Sequence, residues 1–214
     1  MSTTKKKNIR AEAARLLAPV LRQKGALSIE GSHGEDAALL KELCYGSTRL
    51  YPHLNQLLKQ LLDKRLKERD ADIQALLIIG LYQLFYLRTP DHAVLDQSVR
   101  ATTELGKKWA KGLVNAVLRN ALRKRKTLFD SLANQVEFKT AHPQWLAEQI
   151  SSDWPDQAEA IFAAANERPP MTLRVNAQKS STSDYLTKLK STELAGSLSK
   201  HCNCLLYTSD AADD

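Results

Sequence analysis

The stretch DADIQALLIIGLYQLFYL, residues 70–87, decides the fold. Ile73, Leu76, Leu77, Ile78, Ile79, Leu81, Leu84 and Phe85 fall at helical spacing and leave almost no polar face. A helix that is apolar nearly all round needs other helices to enclose it, so this segment is read as the buried centre of an all-helical bundle. Asp70 or Asp72 can cap its start, and Thr89-Pro90 ends it, because the residue before a proline is driven away from helical backbone. The apolar run is far too short to cross a bilayer.

Working outward, residues 7–24 place Ile9, Ala13, Leu16, Leu17, Val20 and Leu21 on one side of a helix that Pro19 is expected to bend or break. Residues 25–34 carry three glycines and read as a loop. Residues 36–49 form a second helix, and Pro52 punctuates it before residues 53–62, whose leucines make one stripe. Beyond the central segment, residues 91–105 form a helix closed by Gly106. Strand-type alternation is absent to about residue 135, so a helical bundle is expected throughout that region.

Residues 107–126, KKWAKGLVNAVLRNALRKRK, hold eight Lys or Arg and no Asp or Glu. On one continuous helix, Lys108, Lys111, Asn115, Arg119, Arg123 and Lys126 share a face, opposite Leu113, Val114, Val117, Leu118, Ala121 and Leu122. Cations at this spacing repel one another, and a polyanion laid along them relieves the repulsion while releasing its own counterions. With a chain charge of +7, the expected partner is nucleic acid rather than solvent alone. Lys111, Arg119 and Arg123 are the first candidates for phosphate contacts, extended by Lys107, Lys108, Lys124, Arg125 and Lys126. Arg49 either joins the patch or pairs with a bundle carboxylate. Asn115 borders the apolar arc and suits a helix–helix contact slightly better than RNA. Trp109, Trp145 and Trp154 could stack on bases, Trp109 foremost, but core anchoring is the stronger expectation for each.

The character changes after His142-Pro143. Two short helices are expected at residues 143–151 and 155–165, anchored by Trp145, Ile150, Trp154, Ile161 and Phe162. The segment Arg168-Pro169-Pro170 stops helix formation, and residues 171–176 (MTLRVN) make one convincing strand, with no second strand evident to pair with it. Residues 204–213 (CLLYTSDAAD) match the translation of a transposase-type sequencing adapter residue for residue. The expected organisation is therefore a helical RNA-binding domain over 1–140, a helical linker with an incomplete α+β segment over 141–203, and a non-native tail over 204–214.

Cys44 reads as a small core residue, and Cys202 with Cys204 lacks the second pair that a tetrahedral zinc site requires. His33, His53, His92 and His142 are scattered singly, so no metal site is expected. Sparse cysteine usage fits a reducing cytoplasm, and no apolar stretch follows the basic N-terminus to make a secretory signal.

Five segments together resemble the N-terminal part of bacterial 16S ribosomal RNA cytosine-C5 methyltransferases of the Fmu/Sun type. They are ELCYGSTRLYPHLNQLL (42–58), GLYQLFYLRTPDHAVLDQSV (80–99), KGLVNAVLRN (111–120), HPQWL (142–146) and RPPMTLRVN (168–176). The KGLVNAVLRN stretch is shared with the NusB-like fold, an all-helical RNA-binding domain, whereas the last two segments are more specific to the methyltransferases. The resemblance implies a helical domain, a small strand-containing linker domain, and then a Rossmann-like domain that binds S-adenosylmethionine. In that family one cysteine thiolate adds to C6 of the target cytosine and a second assists release. This sequence contains no A-P-G-G-K run to cradle the cofactor and no D-A-P-C or T-C-S segment for the thiols. No catalytic, cofactor-binding or metal residue is therefore assigned in it. S-adenosylmethionine and the catalytic step are expected in a methyltransferase domain beyond this sequence, in cis. The implied partner is 16S ribosomal RNA in the cytoplasm, without a membrane. The alternative is a free-standing antitermination-type factor acting with ribosomal or transcription proteins.

Overall fold

The computed structural model describes residues 7–29, 36–169, 171–191, 196–198 and 204–207. The apolar stretch forms a helix, α4 (Ala71–Tyr86), in which Ile73, Leu76, Leu77, Ile79 and Leu81 have no accessible surface. Around it pack α1 (Ile9–Leu21), α2 (Ala37–Arg49), α3 (Tyr51–Leu61), α5 (Asp91–Glu104) and α6 (Lys111–Arg123). The all-helical bundle expected from residues 70–87 is the observed architecture. Gly80 lets α6 come close: a Cβ there would lie 2.8 Å from Leu118 Cδ2. Gly46 does the same for α2, since its missing Cβ would fall on the Tyr82 ring.

Helix α1 runs through Pro19 to Leu21 instead of breaking there. Little helix remains beyond the proline, and it is closed by left-handed Gln23 (φ 56°), with Gln23 N–H on Val20 O and Lys24 N–H on Pro19 O. The same closure ends α5, where Gly106 (φ 74°) directs its N–H to Thr103 O and that of Lys107 to Thr102 O. This turn aims Lys107 back at the start of α4.

Two shorter helices, α7 (Arg125–Leu132) and α8 (Val136–Thr140), are pinned to α3 through His53. Its ring stacks on Phe138 at 3.9 Å and meets Phe129 edge-on. Nδ1 donates to Phe138 O and Nε2 accepts from the Tyr86 hydroxyl, both at 2.6 Å, so the neutral imidazole has both nitrogens satisfied. Burial lowers its pKa, against the backbone hydrogen bond that favours the charged form.

Next come α9 (Gln144–Asp153) and α10 (Ala158–Asn166), which pack through Ala147, Ile150, Ala158 and Phe162. Trp145 and Trp154 are not the anchors expected: they are 69% and 55% exposed. Trp145 lies two residues from buried Ala147, about 200° round the helix, so the face that buries Ala147 turns the indole outward.

The chain divides into two compact units after Asn166. The Asn166 side chain donates to Thr140 O, tying the end of α10 to the end of α8. The second unit holds β1 (Met171–Arg174), α11 (Thr182–Ser191), β2 (Gly196–Leu198) and β3 (Cys204–Tyr207). Its antiparallel sheet has the order β1-β3-β2, with Met171 opposite Tyr207 and Arg174 opposite Cys204. The expectation of an unpaired strand is thus corrected. With only three and four residues, β2 and β3 are too short to register as alternation. The strand β3 falls within the stretch read from sequence as a non-native tail.

Candidate nucleic-acid interface

Residues 107–126 do not form one helix. A short 3-10 turn, Lys108–Ala110, precedes α6, which ends at Arg123; Lys124 then breaks the direction before α7 begins. Alanine, leucine and valine bury one side of α6 through Val114, Val117, Leu118 and Ala121. The opposite side presents Lys111, Arg119 and Arg123 to solvent. Arg119 Nε donates to Asn115 Oδ1 at 2.9 Å, and Arg123 donates to Asn120 Oδ1 at 2.6 Å. These neutral partners hold the guanidinium groups along the helix without cancelling their charge. Among the described residues no carboxylate forms an ion pair with Lys108, Lys111, Arg119, Arg123, Lys124 or Arg125. Glu104, which shares a cleft with Lys111, is engaged by the Asn8 backbone N–H.

Four other candidates are placed differently. Lys107 turns inward, with a side chain only 19% exposed, and its Nζ lies 2.8 Å from Asp70 Oδ1 and 2.7 Å from Asp72 Oδ1. Burial alone would lower its pKa, but hydrogen bonds and charge from the two carboxylates raise it, and Lys107 in turn lowers that of Asp70. Lys107 is a clamp between the turn before α6 and the start of α4, so its charge is committed within the fold. Lys126 is on α7 and pairs with Asp130 at 2.6 Å, which raises its pKa. Arg125 remains exposed, yet its guanidinium lies 5.3 Å from the Phe85 ring centre and 5.9 Å from that of Phe129. Arg49, half-buried at the end of α2, lines a cavity of ≈ 430 Å³ with Leu17, Pro52, Ile78 and His142. No residue of α6 lines that cavity. Asn115 serves its own helix, as the hydrogen bond to Arg119 shows.

One cationic group was not singled out from the sequence. Lys64, Arg65, Lys67 and Arg69 are exposed on the connection from α3 to α4, around a cleft that also takes in Trp109. Interleaved with Asp63, Glu68 and Asp70, they read as mixed surface charge. The structure engages two of these acids: Glu68 pairs with Lys24, and Asp70 is held by Lys107 and lies 3.7 Å from Arg69, while Asp63 stays exposed.

Cys44 is fully buried in α2, and burial, with the nearby Glu12 charge, pushes its thiol up to about 12. A thiol held neutral in this way is no nucleophile. The sheet is antiparallel, and among the described residues no strand leads through a glycine-rich turn into a helix.

Such a helical scaffold, with one cationic helix laid across its central apolar helix, belongs to a recognised class. The NusB family model matches residues 4–123, more than half of the sequence, and the chain belongs to that family. The ferredoxin-like domain of RsmF/B-like methyltransferases matches residues 142–211. Among curated relatives, ribosomal RNA small subunit methyltransferase B of Pseudomonas putida is 41% identical over 212 residues, spanning 96% of this chain and 49% of that protein. The probable ribosomal RNA small subunit methyltransferase B of Coxiella burnetii is 40% identical over 183 residues, spanning 85% of this chain and 43% of its own length. The chain spans about half the length of the curated relatives it matches. A crystal structure of the protein PH0851 superposes with a TM-score of 0.66 at 14% identity, over 98% of this chain and 51% of that one, which speaks for the fold alone.

Proposed function

We propose that this chain is the RNA-binding amino-terminal portion of an S-adenosylmethionine-dependent ribosomal RNA cytosine-C5 methyltransferase, and that it positions the enzyme on 16S rRNA. The observation that carries the reading is the face of α6. Lys111, Arg119 and Arg123 stand in solvent on a packed scaffold, and among the described residues the two arginines bond to neutral asparagines and to no carboxylate. The names of the relatives support the enzyme class, and the ferredoxin-like match beyond the helical body favours it over a free-standing antitermination factor. The protein's location is the cytoplasm, where the substrate is made. No helix among the described residues is long and apolar enough to cross a membrane.

The chain's part in the reaction is electrostatic. Phosphate contacts fix register and orientation, while base choice and methyl transfer belong to the catalytic domain, which also takes the cofactor. The test is equilibrium binding to a 16S rRNA helix. Reversing Arg119 and Arg123 to Glu should lower affinity at least tenfold at moderate salt, with the far-ultraviolet spectrum unchanged. Wild-type affinity in that double variant contradicts the assignment.

A further inference from the structure

Trp109 is the most solvent-open aromatic in the neighbourhood of α6. It projects from the 3-10 turn before that helix with 57% of its surface exposed. A large indole has no packing reason to stand in water when Val114, Val117 and Leu118 already seal the helix beneath it. Its position is also fixed from both sides: Lys107 is clamped to Asp70 and Asp72, and Ala110 is fully buried. The ring borders an open cleft of ≈ 850 Å³, floored by half-buried Leu62, Leu66 and Leu113.

The rim of that cleft is cationic. Lys64, Arg65, Lys67 and Arg69 face solvent, and Lys108 precedes the indole in the chain. Of the neighbouring acids, Asp70 answers Lys107 at 2.8 Å and Arg69 at 3.7 Å, and Glu68 answers Lys24 at 2.5 Å. Asp63, exposed in the same loop, is the remaining acid of the lining. An exposed aromatic face between anchored neighbours, beside exposed cations, is the arrangement that takes an unstacked base together with its phosphates.

We infer that Trp109 and the cleft beside it form a stacking site for an unpaired nucleotide of single-stranded RNA, separate in role from the phosphate-binding row on α6. This inference rests on the RNA-binding reading of α6 and refines it: the row follows a backbone, and the cleft selects RNA that has an unpaired base to offer. Duplex RNA keeps its bases inside the helix and cannot fill the site.

The experiment uses the intact chain and two fluorescein-labelled probes, a single-stranded RNA of roughly a dozen nucleotides and the blunt duplex it forms with its complement. Trp109→Ala should weaken single-strand binding about tenfold, the order that loss of one base–aromatic stack produces, and leave duplex affinity within about twofold. Trp109→Phe should restore most of the loss, since a smaller aromatic face still stacks. Thermal melting of both variants confirms that the fold is kept. Unchanged single-strand affinity in Trp109→Ala, the result a protein-docking surface would give, overturns the inference. Equal losses on both probes overturn it as well. Failure of the α6 reading shows separately, as wild-type duplex binding by the Arg119→Glu/Arg123→Glu variant.

Discussion

At the scale of single residues, two buried polar groups show how the same chemistry gives opposite pH behaviour. Asp70 has its pKa lowered, chiefly by the hydrogen bond from Lys107, and the Lys107 pKa is raised by its two acids. Their mutual stabilisation is present between about pH 4 and pH 10 and fades as Asp70 takes up a proton at the acid end. Lys107→Met leaves two carboxylates facing each other. It should cost about 2 kcal/mol at pH 7 by urea denaturation, with the gap to wild type closing towards pH 3. A gap that persists unchanged at pH 3 would mean that the side chain acts through packing alone. His53 behaves in the reverse sense. Its pKa is lowered by burial, so the unfolded chain takes up the proton first as pH falls below about 6.5. Stability should drop between pH 7.5 and 5.5, and His53→Gln, though less stable overall, should lose much of that slope; an identical slope in the variant would exclude His53 as its source.

At the scale of elements, the packing of α6 on α4 depends on a missing side chain. Gly80→Ala puts a methyl 2.8 Å from Leu118 and should cost about 1–3 kcal/mol. Because the obstacle is the end of a flexible leucine, Leu118→Ala in the same chain should absorb part of that cost. The two changes would then be non-additive in a double-mutant cycle; strict additivity would show that the contact does not limit the approach. Helices were legible in the sequence because the bundle is built from strong periodicity. Ile73 to Phe85 announces a buried helix, Thr89-Pro90 its stop, and Gly106 the stop of the helix that follows. The breaks within residues 107–126 were not, because Lys, Ala, Leu and Arg all favour helix. What breaks the run is tertiary: Lys107 is drawn away to Asp70 and Asp72, and α7 must turn to set Phe129 against His53. Trp145 is exposed against expectation for a related reason: composition marks an indole as a packing group, while helix phase decides where it points; Trp154 lies past the end of α9 and is exposed as well.

At the scale of the whole molecule, the division after Asn166 predicts an autonomous helical body. A chain truncated there should melt cooperatively at a temperature close to that of the full sequence, whereas loss of cooperativity would show that the second unit completes the first core. The candidate surface was legible only in part. Arg119 and Arg123 stood out because no acid accompanies them locally, while the Lys64–Arg69 cluster emerged only when folding engaged two of its three acids, Glu68 with Lys24 and Asp70 with Lys107. The central claim is that exposed guanidinium groups on α6 meet phosphates, and its most direct measure is how RNA affinity varies with salt. Plotted logarithmically, wild-type affinity for an rRNA helix should fall steeply and linearly with salt concentration. Reversal of Arg119 and Arg123 should flatten that slope by about two units, one per lost phosphate contact. A slope that the double reversal leaves unchanged would contradict the account.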